Sequence, residues 1–188
     1  ELVLGAKTFS SLLTVSKQGI IVSTSLGKSF NFTGVNQANL LICDPAVKER
    51  FLQQQRKDHI GSIDPFFYNA LHAAYTEDGF SWIRKVCILV EKNDQLIREF
   101  CESEMPLIRP VPLQGGFILW MDMRALGLED ADLQYFMEQE ANVIGDPGRE
   151  YGDCGKGFYR LQIATSEEKI YSMLVQIKKA YDERGFGV

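Results

Sequence analysis

A long amphipathic helix near the middle of the chain constrains the fold more than any other feature. We predict this helix from Trp82 to about Ser103, with Ser81 as its N-cap. Its apolar residues recur at helical spacing along one face: Ile83, Val86, Val90, Ile97 and Phe100. With a rise of about 1.5 Å per residue, the helix would be roughly 33 Å long and could connect two domains. We therefore expect an α/β chain with domains over residues 1–105 and 106–188.

Strand and helix signals alternate before this helix. Asp44-Pro45 and Asp64-Pro65 each place a capping Asp before a Pro at the first helical position. Gly79 is expected to end the second of these helices. Residues 7–18 are expected to form a loop with a short helical turn. The predicted elements are strands at 19–25 and 37–43 and helices at 45–56 and 65–77.

The residues after the long helix form a second series of short elements. Three prolines between Met105 and Pro112 predict an extended crossing segment. The alternation of apolar and polar residues in Phe158–Ala164 is typical of a half-buried strand. We predict strands at 116–123 and 158–164, helices at 130–141 and 166–184, and a glycine-rich loop at 145–157.

One lysine follows a short β-branched run. Ile20–Val22 predicts a buried strand, which leads through small polar residues to Gly27 and Lys28. A lysine that is partly withdrawn from water by neighbouring aromatic residues favours its neutral amine, as a Schiff-base lysine requires. An ordinary surface lysine is the more frequent alternative. A phosphate-binding loop is excluded, because the motif that ends in Gly-Lys-Ser requires Gly where this chain has Val22.

Arg160 lies inside a predicted strand, between Tyr159 and Leu161. A half-buried guanidinium needs an anionic partner, because an unpaired buried charge is costly. The partner could be an internal carboxylate, which is the more frequent case, or the carboxylate of a ligand.

Composition excludes several functional classes. The net charge is −5, with 20 basic and 25 acidic residues and no long run of like charge, so neither a nucleic acid nor an anionic membrane is the expected partner. The longest apolar stretches are too short to span a bilayer. With four widely spaced cysteines and two histidines we expect no metal site, and we expect reduced thiols in the cytoplasm.

Two segments resemble those of a known enzyme family. Ser25, Lys28, Phe30, Asn31 and Gly34 resemble the lysine segment of fold-type I pyridoxal-phosphate enzymes of the aminotransferase class I/II family. The segment is most similar to that of the cystathionine β-lyase-like C–S lyases. Residues 157–161, Gly-Phe-Tyr-Arg-Leu, resemble the segment whose arginine binds the substrate α-carboxylate.

The resemblance covers nearly all 188 residues in the family's order, with two departures. Gly27 stands where the family usually has a second Ser. Asn36 stands where many aminotransferases have an Arg that contacts the cofactor phosphate, an Arg that the lyases also commonly lack.

The resemblance implies a fold, a cofactor and a set of site residues. The fold would be the C-terminal part of a pyridoxal-phosphate-dependent transferase: the end of the large-domain sheet, the long helix and a small α/β domain. Lys28 would be the catalytic residue and would hold pyridoxal 5'-phosphate. Ser23 and Ser25 would contact the cofactor, and Ser62 would contact it from the other subunit of a homodimer. Arg160 would bind the amino acid substrate.

The reaction implied is β-elimination from cystathionine or cysteine, which gives pyruvate, ammonia and a thiol. An aminotransferase is the alternative, because both reactions use the same residues; the Ser-Phe-Asn run and the absence of Arg at position 36 favour the lyase. In the family an Asp that pairs with the cofactor's pyridine nitrogen precedes a run like Glu1–Leu4. We therefore expect this chain to be the C-terminal half of a longer enzyme, and a complementary N-terminal half to be its partner. A truncated module that is inactive without that half is a third possibility.

Overall fold

The computed structural model describes residues 1–34 and 38–187 and divides into two compact units. Unit 1 comprises Glu1 and Thr8–Arg84, and unit 2 comprises Leu2–Lys7 and Lys85–Val188. The division by contacts falls inside the long helix. The predicted boundary between residues 105 and 106 separates the large and small domains of the family's fold, and it stays a prediction.

Unit 1 contains a two-stranded antiparallel sheet and short helices. Strand β1 (Ile21–Thr24) pairs with β2 (Asn39–Ile42) so that Ser23 lies opposite Leu40. A single 3-10 turn at Leu12–Thr14 confirms the helical turn expected between residues 7 and 18. The other elements are β1 Ile21–Thr24, α1 Leu26–Ser29, β2 Asn39–Ile42, α2 Pro45–Lys57 and α3 Pro65–Ala74.

Both predicted Asp-Pro helix starts are confirmed. The Asp44 carboxylate accepts hydrogen bonds from the backbone N–H groups of Ala46 at 2.9 Å and Val47 at 3.3 Å. The Asp64 carboxylate accepts one from the N–H of Phe66 at 2.7 Å. Each Asp thus satisfies N–H groups that the first helical turn leaves without partners.

The prediction that β1 is a buried strand is wrong for the described residues. Ile21 is 45% exposed, and on β2 Leu40 and Leu41 are 41% and 44% exposed. The reason is the size of the sheet, because two strands alone present both faces and both edges to solvent wherever no helix packs on them.

The long helix, α4, runs over Glu77–Glu104 and starts five residues before the predicted position. The Thr76 hydroxyl accepts a hydrogen bond from Gly79 N–H at 3.2 Å, which is the pattern of a capping residue. Gly79 therefore lies inside α4 and does not end α3, and Ser81 is not the N-cap. A side chain at position 79 would collide with the carbonyl oxygen of Ala74, only 1.9 Å from the ideal Cβ position.

The predicted apolar face of α4 is confirmed. Ile83, Val90 and Ile97 are at most 4% exposed, and Val86 and Phe100 are half-buried.

Unit 2 contains a four-stranded antiparallel sheet in the order β3-β4-β6-β5. Its inner face buries Leu119, Met121, Tyr159 and Leu161. The strands and helices predicted for this region are confirmed, except that the helix from Asp130 ends early and continues as a π-helical turn. The elements are β3 Arg109–Pro110, β4 Ile118–Asp122, α5 Asp130–Tyr135, the π-turn Phe136–Glu140, β5 Asp146–Pro147, β6 Phe158–Gln162 and α6 Glu167–Glu183.

Candidate active site

Lys28 lies in the single helical turn α1, directly after β1. Ser25 precedes the turn with an extended backbone, so the chain changes direction between strand and helix. Asn31 ends the turn with a positive φ of 54°, a conformation that Asn tolerates better than most residues. The Asn that forms part of the lysine motif therefore has a local structural function.

The side chain of Lys28 is exposed, so the prediction that its amine is partly desolvated is wrong for the residues that the structure describes. Ser23 and Ser25 are also exposed. The ammonium group forms no ion pair, and neither hydroxyl forms a hydrogen bond, within residues 1–34 and 38–187. A primary amine and two hydroxyls that are available on one short segment are a suitable donor set for a phosphorylated aldehyde.

Four contacts that the sequence did not predict hold α1 and the residue after it in place. The carboxylate of Glu1 accepts hydrogen bonds from the Ser29 hydroxyl at 2.6 Å and from the Tyr75 hydroxyl at 2.9 Å. Burial, followed by the bond to Glu1, raises the pKa of Tyr75. The Phe30 ring packs against Tyr75, with centroids 5.7 Å apart, and against Trp82 at 6.3 Å. These partners are distant in the sequence, which carries no local signal for them.

Two other predicted positions lie elsewhere in unit 1. Ser62 is exposed and lines a cavity of about 500 Å³ together with Asn39 and Leu71. Its predicted contact with the cofactor of a second subunit stays a prediction. Asn36 lies outside the described residues.

Arg160 belongs to unit 2, on the outer face of the four-stranded sheet. It lies opposite Trp120 of β4 and opposite Asp146 of β5. Its Nη1 donates hydrogen bonds to Asp146 Oδ2 and, at 2.7 Å, to the hydroxyl of Tyr151. The guanidinium carbon also lies 5.2 Å from the centre of the Tyr151 ring. The internal ion pair considered for this arginine is therefore present.

Close packing between two glycines fixes the loop that carries Tyr151. A Cβ on Gly155 would lie 2.0 Å from the carbonyl oxygen of Gly148, and a Cβ on Gly148 would lie 2.2 Å from that of Gly155. Real Cβ atoms do not approach so closely, so both positions require glycine. The segment predicted as a glycine-rich loop contains the short strand β5 and two 3-10 turns, and its glycines allow it to fold back onto itself.

An aromatic cleft of about 290 Å³ lies beside Arg160. The Trp120 ring stands edge-on to Tyr151 at 5.2 Å and to Phe158 at 6.2 Å. The Arg124 guanidinium lies over Phe158 at 4.8 Å and binds both oxygens of Asp122. Hydrogen bonds from Arg124 lower the pKa of Asp122. The predicted strand 116–123 includes Trp120. The sequence does not show that Trp120 lies opposite Arg160, because this depends on the register of two strands.

Residues 1–34 and 38–187 lack two further features. They contain no helix that is long and apolar enough to cross a membrane. They also contain no group of three or more His, Cys, Asp or Glu side chains placed to hold a metal ion.

Comparison with known proteins assigns the chain to a family. The profile of the family described as aminotransferase class I and II matches residues 1–177. The chain belongs to the aminotransferase class I and II family. This confirms the resemblance on which the expected fold and site residues were based.

Curated relatives include both lyases and aminotransferases. The chain is 31% identical over 153 residues to cystathionine beta-lyase PatB of Bacillus subtilis, an alignment that covers 81% of this chain and 39% of PatB. It is 21% identical over 172 residues to an aspartate aminotransferase of Pyrococcus horikoshii, covering 91% of this chain and 43% of that protein. The chain thus spans about two-fifths of the length of these relatives.

The structure is also similar to that of cystalysin from Treponema denticola, which contains pyridoxal 5'-phosphate. The TM-score is 0.91 at 25% sequence identity, and the match covers 97% of this chain and 47% of cystalysin. The expected α/β fold, part of a pyridoxal-phosphate-dependent transferase, is confirmed over nearly the whole chain.

Proposed function

We propose that this chain contributes the cofactor lysine and the substrate-binding arginine of a pyridoxal-phosphate-dependent C–S β-lyase. The enzyme would convert cystathionine or a related cysteine derivative to pyruvate, ammonia and a thiol. The observation that carries the proposal is the 31% identity to cystathionine beta-lyase PatB. The exposed amine of Lys28, which forms no ion pair among the described residues, supports it, in a segment that also exposes Ser23 and Ser25.

Lys28 would have two functions. At rest its Nζ would hold the cofactor, with the hydroxyls of Ser23 and Ser25 available as hydrogen-bond donors. After the substrate has taken its place, the free amine would remove the proton from the substrate Cα. Pyridoxal phosphate, when bound, supplies an electron sink for the negative charge that develops at this carbon.

Arg160 would orient the substrate. Its Nη1 is already bonded to Asp146 and Tyr151, whereas Nε and Nη2 form no hydrogen bond within the described residues. These two groups lie on one edge of the guanidinium and can donate parallel hydrogen bonds to a carboxylate. The edge therefore fits the α-carboxylate of an amino acid.

The cofactor site can be tested by absorption spectroscopy. Pyridoxal phosphate is added to the chain, alone and after co-expression with a chain that supplies the family's N-terminal residues. We expect an absorption band from lysine-bound cofactor that Lys28→Ala removes. Lys17→Ala, which removes another exposed lysine of unit 1, should retain the band. Identical spectra for wild type and Lys28→Ala in the reconstituted protein would contradict the assignment.

The reaction type can be tested with cystathionine and no keto acid. A lyase releases pyruvate under these conditions, because the electrons that develop at Cα expel the thiolate from Cβ. The aspartate aminotransferase among the relatives favours an aminotransferase as the second candidate. In that case Lys28 would return the proton to the cofactor, and turnover would require a keto acid.

The third candidate is a module that is inactive without further residues. The exposed apolar residues Ile21, Leu40 and Leu41 favour it, because an apolar surface of this kind is typical of one that further polypeptide covers.

A homodimer in the cytoplasm, with Ser62 near the partner's cofactor, completes the proposal. A monomeric mass for a reconstituted protein that binds the cofactor would contradict the dimer.

A further inference from the structure

Asp146 faces the candidate substrate-binding arginine across a strand pair. Asp146 and Arg160 are directly opposite in the β5–β6 register, so their side chains project from the same face of the sheet. Their ion pair therefore follows from the backbone pairing. Tyr151, on the loop fixed by Gly148 and Gly155, gives the guanidinium its second contact.

This arrangement divides the guanidinium into an occupied part and an available edge. Asp146 and Tyr151 both bind Nη1, whereas Nε and Nη2 have no hydrogen-bond partner among residues 1–34 and 38–187. The side chain of Arg160 is 27% exposed, so it is open to solvent in part. Because the guanidinium is planar and rigid, fixing Nη1 also fixes the direction in which Nε and Nη2 donate.

The charge of Asp146 then bears on what else the ligand can carry. A carboxylate bound at the available edge would lie close to the carboxylate of Asp146, which already neutralises part of the positive charge of Arg160. The cleft beside it is lined by apolar and aromatic side chains such as Val111, Trp120 and Phe158. Arg124, which lies over Phe158, is committed to Asp122. A ligand whose other end is a second carboxylate with no ammonium group beside it would therefore meet repulsion, and the described residues that line the cleft include no cation to compensate it.

We propose that Asp146 is a specificity-determining residue that orients Arg160 toward a single carboxylate and disfavours ligands whose other end carries a net negative charge. The inference rests on the proposed function, in which Arg160 binds the substrate α-carboxylate. It adds that the substrate's other end is uncharged or carries no net negative charge near Asp146.

The test uses two small carboxylates and needs no cofactor. Propionate and succinate differ by one carboxylate, and their binding to the chain is followed by NMR through the indole N–H of Trp120, which lies opposite Arg160. Trp82→Phe assigns the two indole signals. The affected variant is Asp146→Asn. The control is Asp153→Asn, which removes the same charge from the same loop, where Asp153 pairs with Lys156 at 2.8 Å.

Asp146→Asn should increase the affinity for succinate relative to propionate by about three- to fivefold, the effect of one charge at a partly exposed site. Asp153→Asn should leave this ratio unchanged. An unchanged ratio in Asp146→Asn would overturn the proposal, as would the absence of binding by both ligands in every variant. If Asp146→Asn does not fold, Asp146→Ser tests the same ratio. Because no pyridoxal phosphate is present, failure of the Lys28 assignment would not change this result.

Discussion

Cys101 is a thiol whose ionisation opposes folding. It is fully buried in α4, and burial raises its pKa to about 12 from an ordinary value of 9.0. Between these pH values the folded state retains the proton that the unfolded state releases. The free energy of unfolding should therefore be unaffected below pH 9 and should decrease above it, by about 1.4 kcal/mol per pH unit from this group.

We expect Cys101→Ala to remove this contribution to the slope of stability against pH. The measurement is urea unfolding at several pH values above 9, with a reductant present. Cys43→Ala, at an exposed thiol, is the matched control and should keep the wild-type slope. Equal slopes in wild type and Cys101→Ala would show that burial of this thiol does not couple folding to pH.

The site residues show what single positions in a sequence can and cannot predict. Lys28 and Arg160 could be proposed as site residues because each lies in a short segment that resembles one of the family's; their roles stay predictions. The partner of Arg160 could not be predicted, because it depends on the β5–β6 register. Asp146 lies in strand β5, a two-residue strand in a segment that the sequence predicts as a loop. The exposure of Lys28 was mispredicted because an apolar run predicts a strand but not the number of strands that cover it.

Helix α4 is joined to the end of β6 by one buried amide. Asn93 is fully buried, and its Nδ2 donates hydrogen bonds to the carbonyl oxygens of Ile163 and Thr165, both at 2.8 Å. Asn93→Leu retains the volume but removes both side-chain hydrogen bonds: the Ile163 carbonyl keeps the backbone N–H of Thr165 at 2.9 Å, whereas the Thr165 carbonyl loses its side-chain donor. We expect a loss of about 2 kcal/mol in the free energy of unfolding, measured in urea.

The control for this prediction lies two residues further along the same helix. Gln95 is exposed and its amide donates a hydrogen bond to the exposed Glu99 at 2.8 Å, so Gln95→Ala should change stability by less than about 0.5 kcal/mol. Asn93→Asp should be more destabilising than Asn93→Leu, since a carboxylate would face two carbonyl oxygens. Comparable losses for Asn93→Leu and Gln95→Ala would contradict the role given to this amide.

Element prediction succeeded where the signal is local. The Asp-Pro caps of α2 and α3 identify their own first turns, and the periodicity of α4 identifies its buried face. The predicted start of α4 was wrong because glycine is more frequent after a helix than inside one, so Gly79 was expected to end α3. Here Gly79 is required by the approach of the Ala74 carbonyl, which depends on how α3 ends and cannot be read from spacing.

The two units differ greatly in the apolar core that each contains. Among the described residues of unit 1, the buried apolar side chains are Leu26, Phe67 and Ile83. Unit 2 buries most of one sheet face together with the inner faces of α4 and α6. Since burial of apolar surface is the main favourable term in folding, unit 1 should have the lower stability.

The two tryptophans allow this difference to be measured, because Trp82 lies in unit 1 and Trp120 in unit 2. In urea, the fluorescence of Trp82 in a Trp120→Phe variant should change at a lower midpoint than that of Trp120 in a Trp82→Phe variant. Co-expression with the N-terminal residues of the family fold should increase the Trp82 midpoint, because these residues would cover Ile21 and Leu41 of the exposed sheet. The Trp120 midpoint should change little. Coincident midpoints in the chain alone would mean that unit 1 is stabilised by something other than its own core. There would then be no physical reason to expect that the lysine segment requires further residues.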